Sequence, residues 1–215
     1  MAPGDAIESG ALTIEPVHTP GHTAGMLSLL VNGTDVFTGD TLFKGSVGGV
    51  HAPGSSGYAD IKSSIMDKLL RLPAQTRIHP GHTAGMLSLL VGGTDVFTGD
   101  TLFKGSVGGV HAPGSTGFAD IKSSILDKLL KLPGETRIHP GHTDPTTVAD
   151  ELEHNGFVRI WRGVDAEGNE PCTALGRPAT LILFAPDYDG GHKAWVRWPD
   201  GSDDIVPGSR VERGG

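Results

Sequence analysis

Five side chains in this sequence are of the right type and spacing to hold a metal ion. They are the histidine of each Pro-Gly-His-Thr stretch (His22, His82, His142) and the aspartate of each Thr-Gly-Asp stretch (Asp40, Asp100). In order along the chain, the separations are 18, 42, 18 and 42 residues, taken from positions 22, 40, 82, 100 and 142. Imidazole and carboxylate are ligands suited to zinc, iron or manganese. Each stands beside a glycine, where an apolar strand gives way to a loop and a short side chain can point into a shared cleft without steric cost.

The spacing repeats because the chain does. Residues 20–79 recur as residues 80–139, with differences only at Asn32/Gly92, Ser56/Thr116, Tyr58/Phe118, Met66/Leu126, Arg71/Lys131, Ala74/Gly134 and Gln75/Glu135. A third Pro-Gly-His-Thr, at 140–143, opens into new sequence. Two long copies describe a duplicated half-domain, since a solenoid needs three or more shorter units to bury a continuous core.

Each copy reads as strand, strand, loop, helix, strand. Met-Leu-Ser-Leu-Leu-Val is a strand, Asn32-Gly33-Thr34-Asp35 a turn, and Asp35 to Thr38 a second strand. A glycine-rich loop follows. Asp60 is the expected N-cap of a helix carrying Ile61, Ile65, Leu69 and Leu72 on one face, and Pro73 stops it. Thr76 to His79 is the closing strand. Beyond the third motif, Asp144 and Pro145 are expected to start a helix that Asn155-Gly156 closes. From Phe157 onward the pattern predicts strands only, a small β-barrel of SH3-like size. The resulting divisions are 1–79, 80–156 and 157–215.

Bulk composition narrows the function. A formal charge of -8 over 215 residues disfavours nucleic acid and anionic membrane as partners. A single cysteine, Cys172, excludes an intramolecular disulfide and a Cys-x-x-Cys knuckle. The first residues, MAPGDAIESG, lack the basic start and apolar run of a secretory signal, so a cytoplasmic location is expected.

The motifs resemble a family. His18-Thr19-Pro20-Gly21-His22-Thr23, Phe37-Thr38-Gly39-Asp40-Thr41-Leu42-Phe43 and His79-Pro80-Gly81-His82 look like the last three metal motifs of glyoxalase II-like hydrolases of the metallo-β-lactamase superfamily. The resemblance runs over roughly residues 11–160. It implies an α/β (α+β) αββα sandwich, assembled here from a duplicated half, with His22, Asp40, His82, Asp100 and His142 as metal ligands. The leading H-x-H-x-D-H motif of that family is absent, and a second copy of the C-terminal half stands in its place. A catalytic zinc takes three protein ligands and leaves a position open for water. His22, Asp40 and His82 would serve one zinc, and the five together two; iron or manganese would also fit.

By the same resemblance, Asp40 and Asp100 would hold the nucleophilic water or bridge the metals. Lys44 and Lys104 would attract an anionic group of a small-molecule substrate, beside the simpler reading as surface lysines. The expected activity is hydrolysis of ester-type substrates (thioester, phosphoester or lactone) by a metal-activated water. The competing readings are a catalytically silent metal-binding scaffold and a protein-interaction role for the tail. His18, His79 and His139 read as strand-end or supporting residues, His51 and His111 as loop residues, and Trp161, Trp195 and Trp198 as core. A half-sandwich exposes one apolar sheet face, so a homodimer is expected.

Overall fold

The computed structural model describes residues 6–9, 11–43, 45–51, 54–80, 88–111 and 115–214. The fold is mixed α/β, in two compact units, Met1–Leu87 and Ser88–Gly215.

In the first unit, β1 (Ile7–Ser9), β2 (Leu12–His18), β3 (Leu27–Val31) and β4 (Asp35–Gly39) run antiparallel in sequence order. The Asn32-Gly33 turn joining β3 to β4 has positive φ at both residues, 50° and 66°, as a tight hairpin requires. The short hairpin β5 (Leu42–Phe43) and β6 (Ser46–Val47) follows. Helix α1 (Tyr58–Ser63) then continues through a π-helical turn to Lys68 and a 3₁₀ turn to Arg71. Its N-cap is Gly57, three residues before the expected Asp60, with φ of 108° and no side-chain cap hydrogen bond. Strand β7 (Arg77–Pro80) returns parallel to β4. Ile61, Ile65 and Leu69 from the helix pack on Leu30 and Val36 of the sheet.

The second unit repeats the plan with β8 (Leu89–Val91), β9 (Asp95–Gly99), hairpin β10 (Leu102–Phe103) and β11 (Ser106–Val107), α2 (Phe118–Ser123) and β12 (Arg137–Pro140) parallel to β9. Gly92 and Gly93 make the β8–β9 turn, with φ of 61° and 73°. The Asn32/Gly92 difference therefore falls at a left-handed position that both residues tolerate.

Here the chain continues. β13 (Thr146–Thr147) pairs antiparallel with β12, and α3 (Val148–His154) begins at Thr147, whose Oγ1 accepts from the Asp150 amide at 3.1 Å. The cap is thus Thr147, three residues after the expected Asp144. Phe157 to Trp161, expected as a strand, is helix α4 (Gly156–Trp161). Asn155 both ends α3 and caps α4, its Oδ1 accepting from Phe157 and Val158 amides at 3.1 and 3.3 Å. Last comes an antiparallel sheet of β14 (Glu170–Ala174), β15 (Arg177–Pro186), β16 (His192–Arg197), β17 (Asp203–Pro207) and β18 (Val211–Arg213), in the order β17-β16-β15-β14-β18. Its outer strands do not pair with each other among the described residues, so the element expected as a barrel is an open sheet.

That sheet divides its apolar residues between two faces with the period of two that strands impose. Trp195 and Ile205 join the core of the second copy with Val107, Ile125, Ile138, Phe157 and Trp161. Ala194, Val196, Val206 and Cys172 form a second core on the other side. The three tryptophans are buried, as expected of core residues. No helix among the described residues is long and apolar enough to cross a membrane.

Identical sequence is therefore buried differently. Val107 and Ile138 are fully buried, whereas their counterparts Val47 and Ile78 are 45% and 41% exposed. Ile138→Ala should cost about 2–4 kcal/mol of unfolding free energy, the range for truncating a core isoleucine. Ile78→Ala should cost under about 1 kcal/mol. Urea denaturation of the two variants checks this, and equal costs would contradict the asymmetry.

Candidate metal centre

Each aspartate of interest follows the last residue of a central strand. Gly39 and Gly99 have φ of 49° and 52°, a left-handed step that turns the chain out of the sheet. The turns are fixed by Thr38 Oγ1 donating to the Leu42 carbonyl at 2.8 Å and Thr98 Oγ1 to that of Leu102 at 3.0 Å. Gly48 and Gly108 lie against the Asp40 and Asp100 carbonyls, where a Cβ would collide. Asp40 and Asp100 are both buried.

The histidines arrive by different routes. In the first unit, His22 lies between β2 and β3, its Nε2 3.7 Å from Asp40 Oδ2. Its Nδ1 lies 2.7 Å from the Gly49 carbonyl. A carbonyl only accepts, so Nδ1 carries a proton, which leaves Nε2 as the nitrogen that could ligate a cation beside Asp40. In the second unit, His142 lies just beyond β12, its Nε2 3.5 Å from Asp100 Oδ2. Gly141 donates to the Gly99 carbonyl at 2.8 Å, and a Cβ there would strike the Asp100 carboxylate.

These nitrogen–oxygen separations, 3.5 and 3.7 Å, exceed a hydrogen bond. Two ligands each about 2.1 Å from a tetrahedral ion would stand roughly 3.4 Å apart. The spacing in both pairs thus fits donors that share a cation. Each described pair supplies two ligands. The expected third, His82, lies outside the described residues, as does Lys44. Lys104 is exposed on the β10–β11 turn, its backbone amide donating to Thr143 Oγ1 at 3.1 Å.

The other histidines have separate duties. His79 Nε2 lies 2.8 Å from Asp35 and His139 Nε2 2.7 Å from Asp95, each also stacked on a phenylalanine, Phe37 or Phe97. His18 contacts the Ala24 carbonyl at 2.9 Å, and His111 pairs with Asp204 at 3.0 Å.

Sequence reasoning missed three groups beside the second pair. Tyr188, in the β15–β16 turn, stacks on His142 with ring centroids 4.7 Å apart. Lys193 of β16 is buried, donating to the Val107 carbonyl and to Asp187 Oδ1 at 3.1 Å. Burial pushes its pKa down, against the opposing pull of Asp187. Glu151 of α3 is also buried and accepts from the Gly105 amide, Thr146 Oγ1 and Asn155 Nδ2. Its pKa is raised, with desolvation the largest cause. Glycine and aspartate in DYDGGHK signalled only a turn; what that turn packs against has no local signal.

Comparison with known proteins places this geometry in context. Residues 2–82 match the profile of the metallo-beta-lactamase superfamily. An uncharacterized Mycobacterium tuberculosis protein is 45% identical over 85 residues, 37% of this chain and 38% of the relative. A Streptococcus pyogenes protein named a probable metallo-hydrolase is 37% identical over 36% of this chain and 34% of its own length. A hydroxyacylglutathione hydrolase of Nitrosococcus oceani is 35% identical over 38% of this chain and 32% of its own length. The chain thus spans between about a third and two fifths of the curated relatives it matches.

Glu151→Ala removes the carboxylate that accepts from the Gly105 amide, the Thr146 hydroxyl and the Asn155 side-chain amide. The expected loss is about 1–3 kcal/mol of stability, read by urea denaturation, with faster hydrogen exchange at the Gly105 amide. Unchanged exchange at Gly105 would show that Glu151 does not hold the hairpin.

Proposed function

We infer that this chain, whose residues 2–82 match the metallo-beta-lactamase superfamily, is a metal-dependent hydrolase of ester-type substrates. The observation that carries the reading is the duplicated histidine–aspartate spacing of 3.7 and 3.5 Å, too long for hydrogen bonds and suited to a shared cation. His22 and Asp40 would hold an ion in one copy, Asp100 and His142 in the other, with His82 as the ligand common to both motif sets. Zinc suits this donor set, as do iron and manganese. When bound, such an ion supplies Lewis acidity, which makes water nucleophilic near neutral pH.

The remaining work falls to the chain's own groups. The Gly49 carbonyl fixes the His22 tautomer. Burial of Asp40 and Asp100 keeps solvent from competing for their carboxylates. Lys104, exposed on its turn, would draw an anionic substrate group. Thioesters head the substrate list because a relative is named a hydroxyacylglutathione hydrolase; phosphoesters and lactones belong to the same proposal. So does a homodimer: Val47 and Ile78 are exposed where the identical Val107 and Ile138 are buried, and a second copy is the proposed cover.

Protein purified with zinc, iron or manganese should retain near-stoichiometric metal by elemental analysis and hydrolyse a thioester or phosphoester probe. Chelation should abolish turnover, and Asp100→Ala or His142→Ala should lower kcat/KM by at least about 100-fold. Metal retention without turnover would replace the hydrolase by a silent metal-binding scaffold. Absence of both would end the metal reading altogether.

A further inference from the structure

We propose that Tyr188, carried by the C-terminal sheet, is a positioning residue for His142, so that the second metal pair is completed by the β15–β16 hairpin. This rests on the reading of Asp100 and His142 as metal ligands.

The His142 ring is held by two aromatic side chains. Tyr188 lies parallel to it, with centroids 4.7 Å apart and planes 12° from coplanar. Phe103 of β10 meets it edge-on at 5.9 Å, and Tyr188 and Phe103 are 4.9 Å apart. A face and an edge fix two independent directions of the imidazole, which points Nε2 at Asp100.

The tyrosine itself is anchored. Asp187, the residue before it, accepts from Ser106 Oγ at 2.9 Å and from Lys193 Nζ at 3.1 Å. The ammonium also lies 5.3 Å from the Phe103 ring centre and 5.5 Å from that of Tyr188. Asp187 and Gly191 close the turn, the Asp187 amide donating to the Gly191 carbonyl at 3.0 Å. A buried cation, its carboxylate and a serine hydroxyl therefore clamp the hairpin to β11. Burying a lysine is expensive unless its charge is matched, and this one is matched at the place where the tyrosine must be held.

The first copy provides the contrast. Its Phe43, Ser46 and Val47 have the same sequence, yet Ser46 and Val47 are exposed while Ser106 and Val107 are buried. His22 is oriented by the Gly49 carbonyl. Two identical motifs thus show different supports among the described residues, and that of the second includes the C-terminal sheet.

The test uses the full chain in a His22→Ala background, so that cobalt(II) absorption reports the second pair. In metal-free protein, the His142 carbon-bound ring protons should resonate upfield from the Tyr188 ring current. Tyr188→Ala should lose that shift and weaken cobalt binding about tenfold, within the 10–100-fold range for residues that support a ligating histidine. Tyr188→Phe should keep both, and Lys193→Met, by releasing the hairpin, should lose both. Loss of the upfield shift with unchanged cobalt affinity would overturn the positioning role while leaving the metal reading intact. A parent protein that shows the shift but takes up no cobalt would overturn the metal reading, and the role in ligation with it.

Discussion

The parallel pairing of β9 with β12 is the constraint on which the second histidine–aspartate pair depends. Parallel strands linked by a helix end at the same edge of the sheet, and the loops leaving that edge are where an α/β fold gathers its functional groups. The register is definite: Asp95 stands opposite Arg137, Ile138 opposite Val96, and Pro140 opposite Gly99 after an irregular step. Asp100 lies five residues beyond Asp95 and His142 five beyond Arg137, so this alignment delivers the two side chains together. The same alignment in the first unit sets Asp35 opposite Arg77 and Gly39 opposite Pro80. A slip of one residue would turn every side chain to the other face and separate carboxylate from imidazole.

The sequence repeat carries this register but not its surroundings. After β12 the chain turns back as β13, α3 and α4, and the C-terminal sheet closes over the same core. After β7 it enters the second copy instead. What decides burial is therefore the sequence that follows each copy, which is why Val107 is enclosed and Val47 exposed. The buried polar network follows the same rule. Glu151 and Asn155 reach the β10–β11 hairpin through the Gly105 amide and the Ser106 carbonyl, and they exist only once in the chain.

This explains what was legible in the sequence. Which histidine meets which aspartate does not follow from short-range pattern, since His22 stands 18 residues before Asp40 and His142 stands 42 residues after Asp100; the strand ends and the turn glycines do. So does the burial of Trp161, Trp195 and Trp198. The helix at Phe157 to Trp161 did not, because a five-residue stretch has no length with which to separate a period of 3.6 from a period of two; Asn155 decides the matter by capping it. The roles of Tyr188, Asp187 and Lys193 were illegible for a different reason. They arise from contacts with Phe103, Ser106 and Val107, about 85 residues earlier in the chain, and no local periodicity encodes such a distance.

The two histidines of the His-Pro-Gly-His stretch at 139–142 also divide their labour on physical grounds. His139 and Arg137 both engage the Asp95 carboxylate, at 2.7 Å each, and Thr94 adds a hydroxyl at 2.8 Å. The Arg137 guanidinium first, then His139, hold that carboxyl well below the usual carboxylate range. A carboxyl whose folded pKa is depressed stabilises the fold above its unfolded value, near 4, and loses that contribution only as pH falls toward the folded value. Through the neutral range the clamp on the β9–β12 register stays ionised. His139 is thus committed to alignment, stacked on Phe97 with its Nε2 on Asp95. That leaves His142, three residues on and past the glycine that lets the backbone approach Asp100, as the imidazole of the stretch whose Nε2 faces that carboxylate.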